Sequence, residues 1–194
     1  MKIIDESEVF KVSLDHKESV IRFGGTNVLV VDNFYTNPDL VRELALTIPP
    51  THRHMRDRYP GIMINASYDM SSLVDPYNNY IQTYFPNHLL TDYVCRVMDG
   101  ATFLINVMQS YGLQNMPPHT DNPSRENLAS SIFLNTPDEC AGGTAFYEDG
   151  QMLGHVEMKY NRMIMYNQCA EHSGYLPEGS FESDLWRISQ QFFI

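Results

Sequence analysis

A histidine and an aspartate two residues apart are the central signal for chemistry in the sequence. His119 and Asp121 stand in the segment PPHTDNP. On an extended backbone, side chains two residues apart point to the same side, so the imidazole and the carboxylate can reach one ion. We therefore predict that His119 and Asp121 are metal ligands. The alternative interpretation is a turn in which the aspartate caps the following segment.

A second histidine, His172, is predicted to complete the ligand set. It follows the strand-like run 162–167 in the C-terminal half of the chain. Two imidazoles and one carboxylate on one face of a metal leave the opposite positions open, which is the arrangement of non-haem Fe(II) oxygenases. Those open positions are what an oxygenase needs for a bidentate cosubstrate and for O₂. The alternative is a structural histidine that bonds to backbone groups.

The last segment of the chain, WRISQQFFI, indicates an anion site. Read as a strand, it presents Arg187, Ser189 and Gln191 on one face, and on the other face the residues Trp186, Ile188, Gln190, Phe192 and Ile194. An arginine inside such an apolar strand needs a buried anion, and its guanidinium can bind a carboxylate in two-point fashion. A dicarboxylate such as 2-oxoglutarate fits both ends, with its 2-oxo acid on the metal and its far carboxylate on Arg187. A carboxylate of the protein is the alternative partner.

The N-terminal half contains the elements that would support this site. The apolar, β-branched run Thr26–Asp32 predicts a strand. A helix is predicted over about 39–47, with Asn37 as its cap and Pro38 at its first position. The pattern over 72–97 is mostly helical and is interrupted near Pro86.

The C-terminal half predicts an antiparallel sandwich or barrel. Short strand-like runs, separated by Gly, Pro and Asn clusters, cover 101–111, 130–135, 143–148, 162–167 and 186–194. Gly142 and Gly143 are expected to permit a tight turn or a close strand approach. We predict an α+β fold in one oxygenase domain, 1–194. Residues 1–100 would form helical support and the first strands, and residues 101–194 a jelly-roll core with the metal site.

The run from His119 to Ile194 resembles the Fe(II)/2-oxoglutarate-dependent oxygenase superfamily, in its prolyl-hydroxylase-like branch. The features that match in order are HTDNP, SIFLN, AGGTAF, RMIMYN with the following HSG, and Arg187 in the final strand. The segments DNFYTNPDLVRELAL and YPG also resemble small uncharacterised bacterial members.

The resemblance implies a fold, a set of cofactors and a reaction. The fold would be a double-stranded β-helix, which is a cupin-like jelly roll, with supporting N-terminal helices. Fe(2+) would be held by His119, Asp121 and His172, and 2-oxoglutarate would be held by Arg187 and Ser189. The reaction would hydroxylate an unactivated C–H bond of an amino acid, peptide or small metabolite, with release of succinate and CO₂.

Two departures from the family pattern qualify these expectations. Phe133 stands where prolyl hydroxylases often carry a cosubstrate-binding tyrosine, so Ser131, Ser189 or Gln191 is expected to substitute for the missing hydroxyl. The stretch 176–185 lengthens the distance from His172 to Arg187, and we expect it to be a surface loop. In the related halogenases a small residue replaces the carboxylate. The presence of Asp121 therefore predicts hydroxylation rather than halogenation.

The composition of the chain limits the classes of molecule that it is expected to bind. The formal net charge of −11 disfavours nucleic acid and anionic membranes. The first residues lack a basic-then-apolar pattern and no apolar run is long enough to span a bilayer, so we expect neither a signal segment nor a membrane span. Its cysteines lack disulfide or zinc-site spacing. We expect a cytoplasmic protein with a small-molecule or peptide substrate, and the sequence predicts no oligomeric state. The cationic loop 52–61, with Arg53, Arg56 and Arg58, is expected to border the site mouth and select an anionic group.

Two other functions remain open from the residues. One is a metal-dependent cupin-type enzyme that does not use 2-oxoglutarate. Arg187 argues against it, because a reaction without a dicarboxylate has no need of that cation. The other is a non-catalytic jelly-roll binding module. The complete ligand set argues against it, because a scaffold has no need of three converging ligands.

Overall fold

The computed structural model describes residues 6–47, 62–66, 68–88, 101–107, 117–123, 127–178, 180–181 and 185–194. Three α-helices lie in these ranges: α1 (Glu6–Val9), α2 (Pro38–Thr47) and α3 (Val74–Tyr84). Two 3-10 helices cover Ser71–Leu73 and Pro137–Glu139. The strands are β1 (Lys17–Phe23), β2 (Thr26–Asp32), β3 (Ile62–Ala66), β4 (Ala101–Val107), β5 (Leu128–Phe133), β6 (Gly143–Glu148), β7 (Gln151–Glu157), β8 (Met163–Asn167), β9 (Glu171–Tyr175) and β10 (Trp186–Phe193).

The strands form two antiparallel sheets. One sheet has the order β1-β2-β8-β5-β10-β4-β3, and the other has the order β7-β6-β9. The first sheet mixes strands from the N-terminal and C-terminal halves of the chain, because β2 pairs with β8 and β3 pairs with β4. The predicted antiparallel architecture is confirmed, and helices are few among the described residues. None of the helices in the described part of the chain combines the length and the apolar character that crossing a membrane requires.

Side-chain alternation gives the seven-stranded sheet two different faces. On β2, Leu29 and Val31 point to one face and Val28 and Val30 to the other. The first face packs on the helices, and we call it the helix-side core; its largest buried members are Phe10, Phe34, Tyr35, Tyr77, Tyr80 and Phe192. The second face is the inter-sheet core, with Ala129, Phe133, Phe146, Val156, Ile164 and Tyr166 among its members.

The final strand follows the predicted alternation. Ile188 and Phe192 of β10 belong to the helix-side core, where Gln190 also accepts a hydrogen bond from Tyr35 Oη at 2.7 Å. Arg187 and Ser189 therefore lie on the inter-sheet face. Both are buried, with 5% and 0% of their surface exposed.

The predicted N-terminal elements are confirmed within the described residues, whereas the part of the predicted helical pattern from 89 to 97 lies outside them. Strand β2 has the predicted bounds, and α2 begins at Pro38 and buries Val41 and Ala45. Helix α3 ends at Tyr84, just before Pro86. Proline cannot donate the backbone hydrogen bond that would continue a helix, which accounts for this end.

Four strands were not predicted: β1, β3, β7 and β9. Strand β1 is exposed along most of its length, so it carries no apolar alternation. Strand β9 has the sequence EHSGY, which is short and polar. His172 was expected after the strand-like run 162–167, and it does follow β8, but it lies within β9, which was not predicted. Backbone pairing with β6, rather than side-chain preference, makes this segment a strand.

Candidate metal centre

Backbone pairing brings the two candidate histidines together. His119 and His172 form an isolated antiparallel bridge in which each backbone N–H donates to the carbonyl of the other, at 3.0 and 2.9 Å. Residues that exchange both hydrogen bonds lie directly opposite each other, with side chains on the same face. Their rings are 4.6 Å apart between centroids. The pairing thus joins two residues that are far apart in sequence.

The turn after β8 holds Asp121. The backbone N–H of Asp121 donates to Gln168 O at 3.1 Å, and Gln168 is itself anchored because its Nε2 donates to Leu128 O at 2.8 Å. The carboxylate of Asp121 is thereby turned toward both rings. Its two oxygens lie 3.6 Å from His119 Nε2 and 3.5 Å from His172 Nε2.

The geometry of the three side chains fits one metal ion. Their candidate donor atoms all lie within 4.8 Å of one another. First-row metals bind such atoms at about 2.0–2.2 Å, so adjacent ligands are roughly 3 Å apart. Because the oxygen–nitrogen separations are only slightly larger, small rotations of the side chains would bring them into a ligand set. The structure therefore brings together His119, Asp121 and His172, the three residues for which metal binding was predicted.

Local backbone carbonyls orient both rings. His119 Nδ1 lies 3.1 Å from Pro117 O, and His172 Nδ1 lies 3.0 Å from Ala170 O. A neutral imidazole that donates through Nδ1 has its lone pair on Nε2, which is the atom that faces Asp121 in both cases. The carbonyls thus select the tautomer that a metal ligand requires.

The three candidate ligands differ in how far their side chains are exposed to solvent. The side chain of His119 is 37% exposed, that of Asp121 19% and that of His172 8%. Burial lowers the pKa of His172, and this outweighs the opposite effect of the Asp121 carboxylate. His172 is therefore neutral near pH 7, the form that binds a metal. The site opens on the His119 side and closes against Tyr166, whose ring lies 4.9 Å from that of His172.

Arg187 lies in the same inter-sheet layer as His172. Its Nη2 donates to Gly143 O at 3.3 Å, and its guanidinium carbon is 5.6 Å from the centroid of the Phe133 ring. The ring face adds a favourable cation–π contact. Gly143 belongs to β6, and Phe146 of the same strand lies directly opposite His172. One strand thus borders both the cation and the metal ligands.

A row of polar side chains continues from Arg187 along the inter-sheet face. Ser131 Oγ donates to Gln191 Oε1 at 2.5 Å, and Gln191 Nε2 donates to Ser189 Oγ at 3.0 Å. Within the described residues, Ser189 Oγ has no acceptor for its own proton, so it can donate to a ligand. These are the three residues that were expected to replace the missing tyrosine hydroxyl at Phe133.

Gly142 and Gly143 allow three strands to approach closely. Gly142 has a φ of +67°, and a Cβ there would lie 1.9 Å from Tyr175 O. A Cβ on Gly143 would lie 1.9 Å from Val156 O. Any larger residue would push β6 away from β7 or β9. The predicted structural role is confirmed.

Sequence comparison assigns the family. Residues 14–152, more than two thirds of the chain, match the family described as "Family of unknown function (DUF6445)". The chain belongs to the DUF6445 family. The matched stretch includes His119 and Asp121 and ends before His172 and Arg187. No curated protein matches this DUF6445 chain.

Two solved structures show what the fold is similar to. A prolyl-4-hydroxylase from Pseudomonas putida has 15% identity and a TM-score of 0.52, with 92% of each chain covered. A prolyl 4-hydroxylase from Phytophthora capsici has 14% identity and a TM-score of 0.54, with 86% of this chain and 57% of that chain covered. At such identities the likeness shows a shared fold. The DUF6445 chain therefore has the fold of prolyl 4-hydroxylases.

Two expectations about loops have different outcomes in this DUF6445 protein. The expectation that 176–185 is only a surface loop is wrong, because Phe181 is 2% exposed and packs in the inter-sheet core. Leu176 and Leu185, the first and last residues of this stretch, also pack against that core. The cationic loop 52–61 lies outside the described residues, so its position at the site mouth stays a prediction.

Sequence reasoning gave no role to two polar residues near the site. Gln168 accepts the backbone hydrogen bond of Asp121. The only sequence feature that could have indicated this role is its position in the turn after β8. Asn135 ends the SIFLN segment, and its side chain bonds to the backbone of β10 on both sides of Arg187. A polar residue directly after an apolar strand was the available signal, although such residues usually mark ordinary turns.

Proposed function

We propose that this DUF6445 protein is an Fe(II)- and 2-oxoglutarate-dependent oxygenase. The observation that carries the proposal is the convergence of His119, Asp121 and His172 at one end of an inter-sheet layer that also contains a buried Arg187. Two histidines and one carboxylate with open positions suit Fe(II). The buried guanidinium and its serine neighbour suit a dicarboxylate.

The spacing along β6 supports the pairing of iron with 2-oxoglutarate. Arg187 contacts Gly143, and His172 lies opposite Phe146. Three residues along a strand cover about 10 Å. A five-carbon dicarboxylate with one end at the metal and the other at the guanidinium suits such a span.

Each residue has a distinct role in this proposal. His119, Asp121 and His172 would hold the iron, Arg187 would bind the far carboxylate, and Ser189 would donate its hydroxyl proton to the same group. When bound, iron and 2-oxoglutarate would supply the oxidising chemistry, with release of succinate and CO₂ coupled to hydroxylation of an unactivated C–H bond. The inter-sheet core would exclude water from this reaction.

We propose further that the two sheets are the halves of a double-stranded β-helix and that residues 1–194 act as one oxygenase domain. The mixing of strands from both halves in the larger sheet supports this. The substrate would be an amino acid, a peptide or a small metabolite, because a net charge of −11 repels a phosphate backbone.

The alternatives make different predictions about 2-oxoglutarate. A cupin-type enzyme with another cosubstrate would bind the metal but leave the buried cation without a use. A binding module would need neither group.

The carboxylate of Asp121 also favours hydroxylation over halogenation, so turnover in chloride buffer should give no chlorinated product.

An anaerobic titration tests the proposal. Fe(II) and then 2-oxoglutarate would be added to the protein while a weak visible charge-transfer band is monitored. The band should appear only with both additions, and it should require Arg187. Metal binding without the band would favour the cupin-type alternative, and the absence of metal binding would favour the binding module. A screen of amino acids, peptides and metabolites by succinate release would then identify the substrate class.

A further inference from the structure

The side chain of Asn135 occupies the place where β10 loses a neighbouring strand. Strand β5 ends at Phe133, which is paired with Ser189. Beyond that pair, Leu134 N still donates to Ile188 O at 3.0 Å. The next backbone groups of β10 that face β5 are Ile188 N–H and Trp186 C=O. Both form hydrogen bonds with the side-chain carboxamide of Asn135.

The Asn135 carboxamide imitates a peptide group. Ile188 N donates to its Oδ1 at 2.7 Å, and its Nδ2 donates to Trp186 O at 2.6 Å. Asn135 is completely buried. The two bonds fall on either side of Arg187, so they restrain the backbone torsions of that residue and the direction of its Cα–Cβ bond.

A second group fixes the orientation of the amide. Glu139 Oε2 accepts from Asn135 Nδ2 at 3.3 Å and from Thr136 N at 3.1 Å. Arg42 of α2 donates to both oxygens of Glu139, at 2.9 and 2.8 Å. A carboxylate accepts hydrogen bonds and cannot donate them, so it selects the amide orientation in which Nδ2 points toward Glu139 and Trp186.

We infer that Asn135 is a positioning residue for Arg187, held in its orientation by Glu139, and that it sets the affinity of the site for 2-oxoglutarate. This inference rests on the proposed function. A guanidinium binds a carboxylate in two-point fashion only when its plane is correctly directed, so a shift of its backbone should weaken cosubstrate binding. The metal ligands lie on other segments and should be unaffected.

Asn161 provides a matched control. It is also buried, its Oδ1 accepts from Tyr35 N at 2.8 Å, and its Nδ2 donates to Tyr35 O at 2.9 Å and to Asn33 Oδ1 at 3.4 Å. Asn135→Asp and Asn161→Asp therefore each place a carboxylate oxygen against a backbone carbonyl and a second oxygen. Both substitutions should lower the thermal unfolding temperature.

The two substitutions should differ in cosubstrate binding. We expect Asn135→Asp to weaken 2-oxoglutarate binding to the anaerobic Fe(II) protein by roughly 10- to 100-fold, the range typical of lost outer-shell contacts. Asn161→Asp should bind 2-oxoglutarate as the wild type does, and both variants should keep wild-type iron affinity. Glu139→Gln, a milder change at a partly exposed residue, should weaken 2-oxoglutarate binding several-fold and serves if Asn135→Asp does not fold.

A spectroscopic readout separates this inference from the proposed function. The proton–nitrogen NMR signal of Arg187 Nε, assigned by its loss in Arg187→Leu, should move in Asn135→Asp without any ligand and stay in place in Asn161→Asp. If the wild type does not bind 2-oxoglutarate but the signal moves in this way, the proposed function fails and the positioning role stands. If the wild type binds 2-oxoglutarate and the Asn135 and Glu139 variants bind it equally well, the inference is overturned.

Discussion

The two faces of the seven-stranded sheet carry different kinds of buried polar side chain. On the helix side, two buried tyrosine hydroxyls bond to neutral side chains: Tyr35 to Gln190 at 2.7 Å and Tyr77 to Ser130 at 2.9 Å. On the inter-sheet side, a buried guanidinium and a serine hydroxyl lie in one layer with three candidate metal ligands.

This difference predicts that substitutions affecting stability and substitutions affecting ligand binding fall on different faces of the sheet. The helix-side core is dominated by aromatic rings in edge contacts, such as Phe34 with Tyr35 at 4.7 Å. Such contacts stabilise the fold and need no ligand. Burying charged groups costs free energy unless other charges or hydrogen bonds compensate for it. We therefore expect substitutions on the helix side to change unfolding, and those on the inter-sheet side to change binding.

On the inter-sheet side, removing the carboxylate of Asp121 should have the largest effect, and the quantity affected is the affinity for iron. Asp121→Ala leaves two histidines on the metal. We expect iron affinity to fall by more than about 100-fold, because loss of an outer-shell partner alone costs 10–100-fold. Anaerobic calorimetric titration with Fe(II) measures this. Asp138→Ala removes an exposed carboxylate at the 3-10 helix and is the control. Wild-type iron affinity in Asp121→Ala would remove this residue from the ligand set.

A core truncation on the helix side should give the opposite result. Phe34 is completely buried, and Phe34→Ala should lower the free energy of unfolding by about 3–5 kcal/mol. Iron affinity per folded molecule should not change. Phe193→Ala, at a site that is 43% exposed, should change stability by less than about 0.5 kcal/mol. Denaturant unfolding and metal titration of the same samples test whether the two faces are independent.

Loss of the buried cation should weaken cosubstrate binding strongly. Truncating one member of a buried charge pair costs about 2–5 kcal/mol, so Arg187→Leu should weaken 2-oxoglutarate binding by roughly 30- to several thousand-fold. Arg187→Lys should lose less, because it keeps the charge but not the two-point geometry. Iron affinity should be retained in both. Unchanged 2-oxoglutarate affinity in a folded Arg187→Leu protein would leave the cosubstrate assignment without its main support.

Two serines on opposite faces of neighbouring strands give a finer test. Ser189→Ala should weaken 2-oxoglutarate binding by about 2- to 13-fold, which corresponds to the usual 0.5–1.5 kcal/mol of one hydrogen bond. Ser130→Ala removes the partner of Tyr77 and should lower stability without changing that affinity. Titration of both variants with 2-oxoglutarate distinguishes them, and equal affinities would argue against a role for Ser189.

The smallest effect concerns acid stability. Hydrogen bonds from Arg162, opposed by burial and helped by Lys159, lower the pKa of Asp32. A carboxyl group with a lowered pKa stabilises the fold above its unfolded pKa of about 3.9, and this contribution is lost as the pH falls through the folded pKa. Asp32→Asn should therefore flatten the acid side of the stability profile, by at most about 1 kcal/mol. Binding at neutral pH should not change. Urea unfolding between pH 2 and 7 measures the slope.

Much of the fold could be predicted because local patterns were strong. Strand β2 and helix α2 have an apolar run and a regular apolar face, and β10 alternates between its two faces. Strands β1 and β9 were not predicted, because one is exposed and the other is polar. Such segments become strands through backbone hydrogen bonds to neighbours that are distant in sequence, and no local pattern records those neighbours.

The sequence by itself determined the residue types that the candidate site needs. The spacing of His119 and Asp121 was sufficient to put both side chains on one side of an extended chain. The alternation of β10 was sufficient to put Arg187 and Ser189 on one face. Both results follow from the two-residue alternation of side chains along an extended chain, which does not depend on where the strand lies in the fold.

Only the tertiary structure decided which distant residues meet. The bridge between His119 and His172 depends on the pairing of two segments that carry no apolar pattern. Likewise, Phe181 enters the inter-sheet core from a stretch that was expected to be a surface loop, and Asn135 reaches β10 only because β5 ends at Phe133. Long-range backbone pairing and packing are set by the whole chain, so these contacts could not be derived from any one segment of it.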